Sequence, residues 1–398
     1  CIRCHSPAGW LGGRSDPTNA SMLTGSDHDG VHCDACHRMY DPFYETTFDG
    51  SREGSDWAGY WDETNASGTD SQSAASDTYF ADEAEAQVLS LFNGNPLFPL
   101  EPLYGEAASG QYYVAGDNKK RSSFADAEAR HKMLYSRFHK SKYFCATCHD
   151  VSNPVLANLA SAGILPGDGT TVLRTESESA FGYFHVERTF SEFMLSAYGA
   201  QEGAAGIGPF APDLFQTSRS DNYISKCQDC HMRDVVGYGA DKRGVPLRPD
   251  ESVEHPQSGL PLHDLTGGNA WVPWILASTV TGSPNYDPTN ASLLGSGMGA
   301  LTLDLNAGLG LDPAALLAAV DRAEQQLELA AAIEALAYDP TTGELTFRIQ
   351  NQSGHKLISG FPEGRRVFVN VELYAGGSLI HEINPYDEVA GTCLLYTS

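Results

Sequence analysis

The sequence predicts a mixed fold: an irregular, mainly helical region with little regular structure over residues 1–300, then a helix and a partial β-sandwich over residues 301–392. Three observations predict it. A C-x-x-C-H pattern occurs four times in the first region, 40 glycines and 21 prolines interrupt the chain, and clear period-two apolar alternation is confined to the last quarter. A length of 398 residues suggests about two or three domains.

The four motifs are Cys1-Ile2-Arg3-Cys4-His5, Cys33-Asp34-Ala35-Cys36-His37, Cys145-Ala146-Thr147-Cys148-His149 and Cys227-Gln228-Asp229-Cys230-His231. They use eight of the nine cysteines. The ninth, Cys393, opens Cys393-Leu394-Leu395-Tyr396-Thr397-Ser398, which matches the translation of a transposon adapter used in preparing sequencing libraries, so 393–398 is read as sequencing read-through. At the other end the chain opens at Cys1, inside a motif and without methionine. A preceding segment with an export signal is therefore expected, with room for further motifs.

C-x-x-C-H is the attachment pattern of haem c. Two thiols three residues apart share one side of a helical turn and add to the two porphyrin vinyl groups, while the adjacent histidine reaches the iron. Paired zinc knuckles or disulfides would use the same cysteines, yet neither requires a histidine after every second one. Residues 1–300 thus read as a multihaem domain with four haem c groups. Cys1, Cys4, Cys33, Cys36, Cys145, Cys148, Cys227 and Cys230 are the thioether residues, and His5, His37, His149 and His231 the proximal ligands. A porphyrin core tolerates stretches such as Gly12-Gly13-Arg14-Ser15-Asp16-Pro17 that would serve a conventional core poorly.

Thirteen histidines less the four in motifs leave nine, enough for a second histidine on every iron. The six methionines stand in no recurring context. The distal candidates are His263, His355, His131, His28 and His139. His28 and His32 precede the second motif in a loop able to fold over a porphyrin, and His28 is preferred because His32 is tied to its own motif. Residues 125–142 read as a helix, on which His131 and His139 lie about 80° apart. His263 is followed by Asp264 and by Gly267-Gly268, which allow close backbone approach. The alternative for each is a surface or capping role. His255 reads as solvent-exposed, His185 as opening an amphipathic helix through Phe193, and His381 as a strand residue.

In the last quarter, Asp312-Pro313 supplies a cap and first-turn proline for a helix to about Leu327. Ile333, Ala335 and Ala337 alternate, residues 339–343 turn, and Leu345, Phe347 and Ile349 alternate again, which predicts a hairpin. A further strand at 366–374 is expected to pair with 378–383 across Gly376-Gly377, beginning a β-sandwich.

These motifs, with Gly30-Val31-His32 before the second, Asp150-Val151-Ser152-Asn153-Pro154 after the third, and Gly354-His355-Lys356-Leu357-Ile358-Ser359-Gly360, resemble bacterial multihaem c-type cytochromes. The group includes cytochrome c nitrite reductase and hydroxylamine oxidoreductase-like proteins, and the resemblance covers most of residues 1–392. The family's loop usually reads Gly-His-Lys-Leu-Pro-Thr-Gly; Ile358-Ser359 departs from it. The resemblance implies a haem region followed by a β-rich domain, a periplasmic or cell-surface location, and His355 as a distal ligand offered by that domain. Arg365 and Arg366 would pair with propionates, or with each other's strand-edge neighbours.

With 51 acidic against 25 basic residues the formal charge is -26, which disfavours nucleic acid as a partner. A mean hydropathy of -0.30 and the lack of a long apolar run exclude a membrane-spanning helix. Fully ligated irons suit electron transfer to redox partner proteins, other multihaem cytochromes among them. A multihaem oxidoreductase acting on a small nitrogen or sulfur compound at an open haem is the second expectation, although no C-x-x-C-K variant typical of nitrite reductases occurs. A subunit of an extracellular cytochrome filament or outer-surface electron conduit is the third.

Overall fold

The computed structural model describes residues 2–17, 19–39, 53–54, 112, 114, 120–123, 133–153, 184–200, 203–219, 221–238, 247–248, 260–295, 310–357, 359–360, 367–387 and 392–393. Within them the motifs lie on or at the end of short helices: Ile2–His5, Cys33–His37, Lys142–Ala146 and Cys227–His231. Helices of four or five residues do not persist by propensity alone. Partners from elsewhere in the chain hold each of them.

The first runs through Ser6 into the helix Pro7–Leu11, started by its proline. Ser6 Oγ donates to the Asp27 carbonyl at 2.7 Å. Asp27 caps the 3-10 turn Gly25–Asp29 and takes a two-point bond from Arg14, at 2.5 and 2.6 Å. The second is held by an ion pair between Asp34 and the buried Lys120 of the strand Lys120–Ser122. That strand runs parallel to Met133–Ser136, with Glu53–Gly54 on the other side. At the third, Lys142 Nζ donates to the Gly199 carbonyl at 2.8 Å, and at the fourth Asp229 accepts from the Ser225 and Lys226 N–H groups. Gln228 Nε2 donates to the Ser141 carbonyl at 2.8 Å, tying the fourth helix to the start of the third.

Residues 125–132 of the helix expected over 125–142 lie outside the described residues; the rest is corrected, since Met133–Ser136 is a strand and Arg137–Lys140 a 3-10 turn. Pairing with a distant strand overrides local helical pattern here. The same happens at His185. Phe184–Glu187 pairs with Val151–Asn153, and the helix expected from His185 begins at Thr189, running Thr189–Met194.

Phe193, Tyr198, Phe210 and Ile224 form a buried cluster, with Phe215, Cys230 and Leu329 packed against it. It thereby joins the Thr189–Met194 helix, the fourth motif and the last helix. That last helix, Pro313–Glu328, is capped as expected by Asp312, which accepts from the Ala314 and Ala315 N–H groups, and it packs on Trp271–Ser278. Ala331–Asp339 pairs antiparallel with Glu344–Asn351, bulged where Ala335 takes a φ of +52°. Val371–Ala375 pairs with Ser378–Ile383. The two predicted hairpins are present as separate two-stranded sheets, and the second begins at Val371, after an irregular 367–370. A short strand Thr392–Cys393 pairs with Tyr386–Asp387. Among the described residues, no helix is long and apolar enough to cross a membrane.

Candidate functional site

The fold pairs two motif histidines with two of the distal candidates. The His37 and His263 rings lie 6.1 Å apart between centroids with planes inclined by 29°. The His231 and His355 rings lie 6.4 Å apart, inclined by 16°. Two imidazoles bonded to one metal ion from opposite sides, at about 2.0–2.1 Å each, place their centroids about 6 Å apart. Both pairs have that spacing.

A backbone carbonyl engages the Nδ1 of all four rings. His37 bonds to the Arg121 carbonyl at 2.7 Å, His231 to that of Thr266 at 2.7 Å, His263 to that of Pro261 at 2.9 Å and His355 to that of Lys356 at 2.9 Å. A carbonyl accepts only from an N–H, so Nδ1 carries the proton and Nε2 keeps its lone pair. Burial lowers the pKa of His37 and His231, which keeps both rings neutral. A neutral imidazole with a free Nε2 is the form that binds iron.

His355 is placed by a loop that Glu192 and Thr189 clamp. Glu192 Oε2 accepts from the Lys356 N–H at 3.1 Å and from Ser359 Oγ at 2.9 Å. Thr189 Oγ1 meets Ser359 Oγ at 2.6 Å and accepts from the Gly360 N–H at 3.1 Å. Ser359 supplies the hydroxyl on which this clamp depends. Gly354 allows the close approach: a β-carbon there would stand 2.8 Å from the Phe193 ring and 3.0 Å from that of Tyr198. The first turn of the Thr189–Met194 helix also holds the third motif, since the Phe190 N–H donates to the His149 carbonyl at 2.9 Å.

His139 also lies beside His37, at 6.1 Å and 12°, but its Nε2 bonds to the Cys36 carbonyl at 2.8 Å. Burial, with His37 as a second cause, lowers its pKa to about 3. His139 therefore steadies the second motif's backbone through the nitrogen a ligand would use. His28 is exposed on the Gly25–Asp29 turn, next to the Asp27 that Ser6 holds against the first motif. His5 and His149 are both exposed, His149 with 65% of its side chain accessible and Glu187 4.0 Å away. His381 sits in the Ser378–Ile383 strand opposite Leu373. Cys1, His131, His255, Arg365 and Arg366 lie outside the described residues.

The described motif cysteines are free thiols. Cys4 and Cys148 are hydrogen-bonded, which lowers Cys4 to about 7 and raises Cys148. Cys145 and Cys227 are likewise hydrogen-bonded, and that contact with burial raises Cys145. Burial also pushes Cys36 up to about 11. Among the described residues, no group of three or more His, Cys, Asp or Glu side chains converges as a bare metal cage. The His37 ring lies beside that of His263, and the His231 ring beside that of His355.

The backbone carbonyls and Glu192 escaped sequence reasoning. Thr189-x-x-Glu192 has the form of a capping box, which signals a helix start and not a loop clamp. Comparison of the chain with protein-family models, with curated proteins and with solved structures finds no match.

Proposed function

We propose that this chain is an exported electron-transfer protein carrying four covalently attached haem c groups. The observation that supports it most is the opposed pairing of His37 with His263 and of His231 with His355, each Nδ1 fixed by a carbonyl. When bound, haem supplies an iron that changes oxidation state by one electron.

The chain's own residues do the rest. The paired motif thiols would hold haem covalently, and the carbonyl-locked pairs His37 with His263 and His231 with His355 would supply neutral Nε2 ligands to an iron between them. His/His ligation keeps the potential below that of His/Met ligation. The bulk of the acidic surface favours partners with cationic docking faces.

A second reading, an oxidoreductase with an open haem, is favoured at one point by the exposure of His5 and His149. A haem held by either of these residues would stand where a small exogenous ligand could reach it.

The test is production with the haem-ligation machinery, followed by intact mass and low-temperature electron paramagnetic resonance. The mass should correspond to four haems, and to three in the Cys227→Ser/Cys230→Ser variant. Low-spin signals indifferent to carbon monoxide support the carrier; a high-spin haem that binds the probe supports the oxidoreductase. A chain that takes up zinc and no covalent haem overturns both.

A further inference from the structure

Resting on the haem reading above, we infer that Glu187 is the positioning residue of the third motif: its carboxylate takes the Nδ1 proton of His149 in a hydrogen bond once the haem is in place, where His37 and His231 use backbone carbonyls. The two groups already face each other, with His149 Nδ1 4.0 Å from Glu187 Oε1. One carboxylate oxygen is committed and the other is not. Oε1 accepts from the Thr189 N–H at 2.9 Å, whereas Oε2 is buried and takes no hydrogen bond among the described residues. A buried carboxylate oxygen without a donor is costly, and the neighbouring imidazole N–H is a donor of the right kind.

Successive links fix this carboxylate beside the motif. The Phe190 N–H donates to the His149 carbonyl at 2.9 Å, the Arg188 guanidinium lies 3.5 Å from the buried Asp150 carboxylate, and Glu187 stands in register with Val151. Residues 187–190 are thus laid against 149–151. The imidazole is the adjustable half: its side chain is 65% accessible against 14% for Glu187, and a charge-assisted bond of about 2.7–2.9 Å needs the ring to move by about 1 Å. A carboxylate differs from a carbonyl in charge. It draws the Nδ1 proton more strongly, so Nε2 becomes the better donor and favours the oxidised, more positive iron. Glu187 therefore makes the third centre harder to reduce than a carbonyl partner would.

The test is a potentiometric titration of the haem-loaded protein, followed optically and by electron paramagnetic resonance. Glu187→Gln keeps an oxygen for the Thr189 N–H but removes the charge, and one redox transition should move upward by about tenfold in its equilibrium, about 59 mV for one electron. His149→Met raises the potential of the same centre, which identifies it, and methionine has no N–H to give. Glu187→Gln added to His149→Met should therefore shift nothing further. Should Glu187→Gln not accumulate, Glu187→Asp keeps the charge on a shorter arm and should move the same transition in the same direction. No shift from either variant, or an equal shift with and without the His149 imidazole, overturns the role of Glu187 while leaving the four-haem reading intact. A mass showing fewer than four haems in the unaltered chain overturns that reading and this role with it.

Discussion

Glu192 and Lys356 are bound at two points: the Lys356 N–H donates to Glu192 Oε2 at 3.1 Å, and its ammonium lies 3.2 Å from Oε1. The carboxylate that grips Lys356 also takes the Ser359 hydroxyl, so one largely buried side chain fixes both ends of the segment following His355. Glu192→Ala leaves the Lys356 N–H and Ser359 Oγ without that acceptor, an expected loss of about 1–3 kcal/mol. Denaturant unfolding of the haem-loaded protein measures it. The His231–His355 centre should turn partly high-spin in the same variant; an unchanged spectrum would show that the loop holds without the clamp.

Gly354 makes the next prediction. A side chain there meets the Phe193 and Tyr198 rings, both buried in the core cluster and unable to retreat. Gly354→Val should cost about 1–3 kcal/mol as overpacking and displace His355. The comparison is Gly377→Ala in an open turn, where a β-carbon meets nothing within 4 Å but φ is +83°, so only backbone strain is expected and the spectrum stays unchanged.

Removing one distal histidine at a time separates the two pairs. His263→Ala should turn the His37 centre high-spin and His355→Ala the His231 centre, each leaving four haems by mass. His381→Ala, in an exposed strand, is the control and should change neither. Optical spectra with and without carbon monoxide check all three, and loss of more than one low-spin centre from a single substitution would break the assignment.

The Asp27 carboxyl titrates below the ordinary range, chiefly because Arg14 bonds to it. A carboxyl depressed in the folded state stabilises above its unfolded pKa of about 3.9 and loses that contribution as pH falls through its folded value. Unfolding near the first motif should therefore steepen below about pH 4. Asp27→Asn should lower stability at neutral pH by about 1–3 kcal/mol and flatten the acid limb. Acid titration followed by circular dichroism decides it; parallel curves for the two proteins would exclude Asp27 as the cause.

Legibility in the sequence followed the range of the interactions. The Asp312 cap, the helix after it and the Ala331–Asp339 hairpin rest on contacts between near neighbours, and all were readable. The strand Met133–Ser136 was not, because its conformation is imposed by Lys120–Ser122 and Glu53–Gly54. The motif cysteines were legible as a recurring C-x-x-C-H spacing, and the described ones lie on or beside short helices. Which distal histidine meets which motif was hidden, since His263 and His355 are placed by the Pro261 and Lys356 carbonyls and by Glu192, groups that carry no sequence signature.

Both opposed pairs join a motif histidine to a partner that follows the fourth motif in the chain: His263 and His355 come after His231. A chain emerging from its amino end therefore presents the four motifs before either histidine pair can close. His263 emerges first, so the His37 pair can form before the His231 pair. The order of residues along the polypeptide thus acts as an assembly schedule for the two pairs.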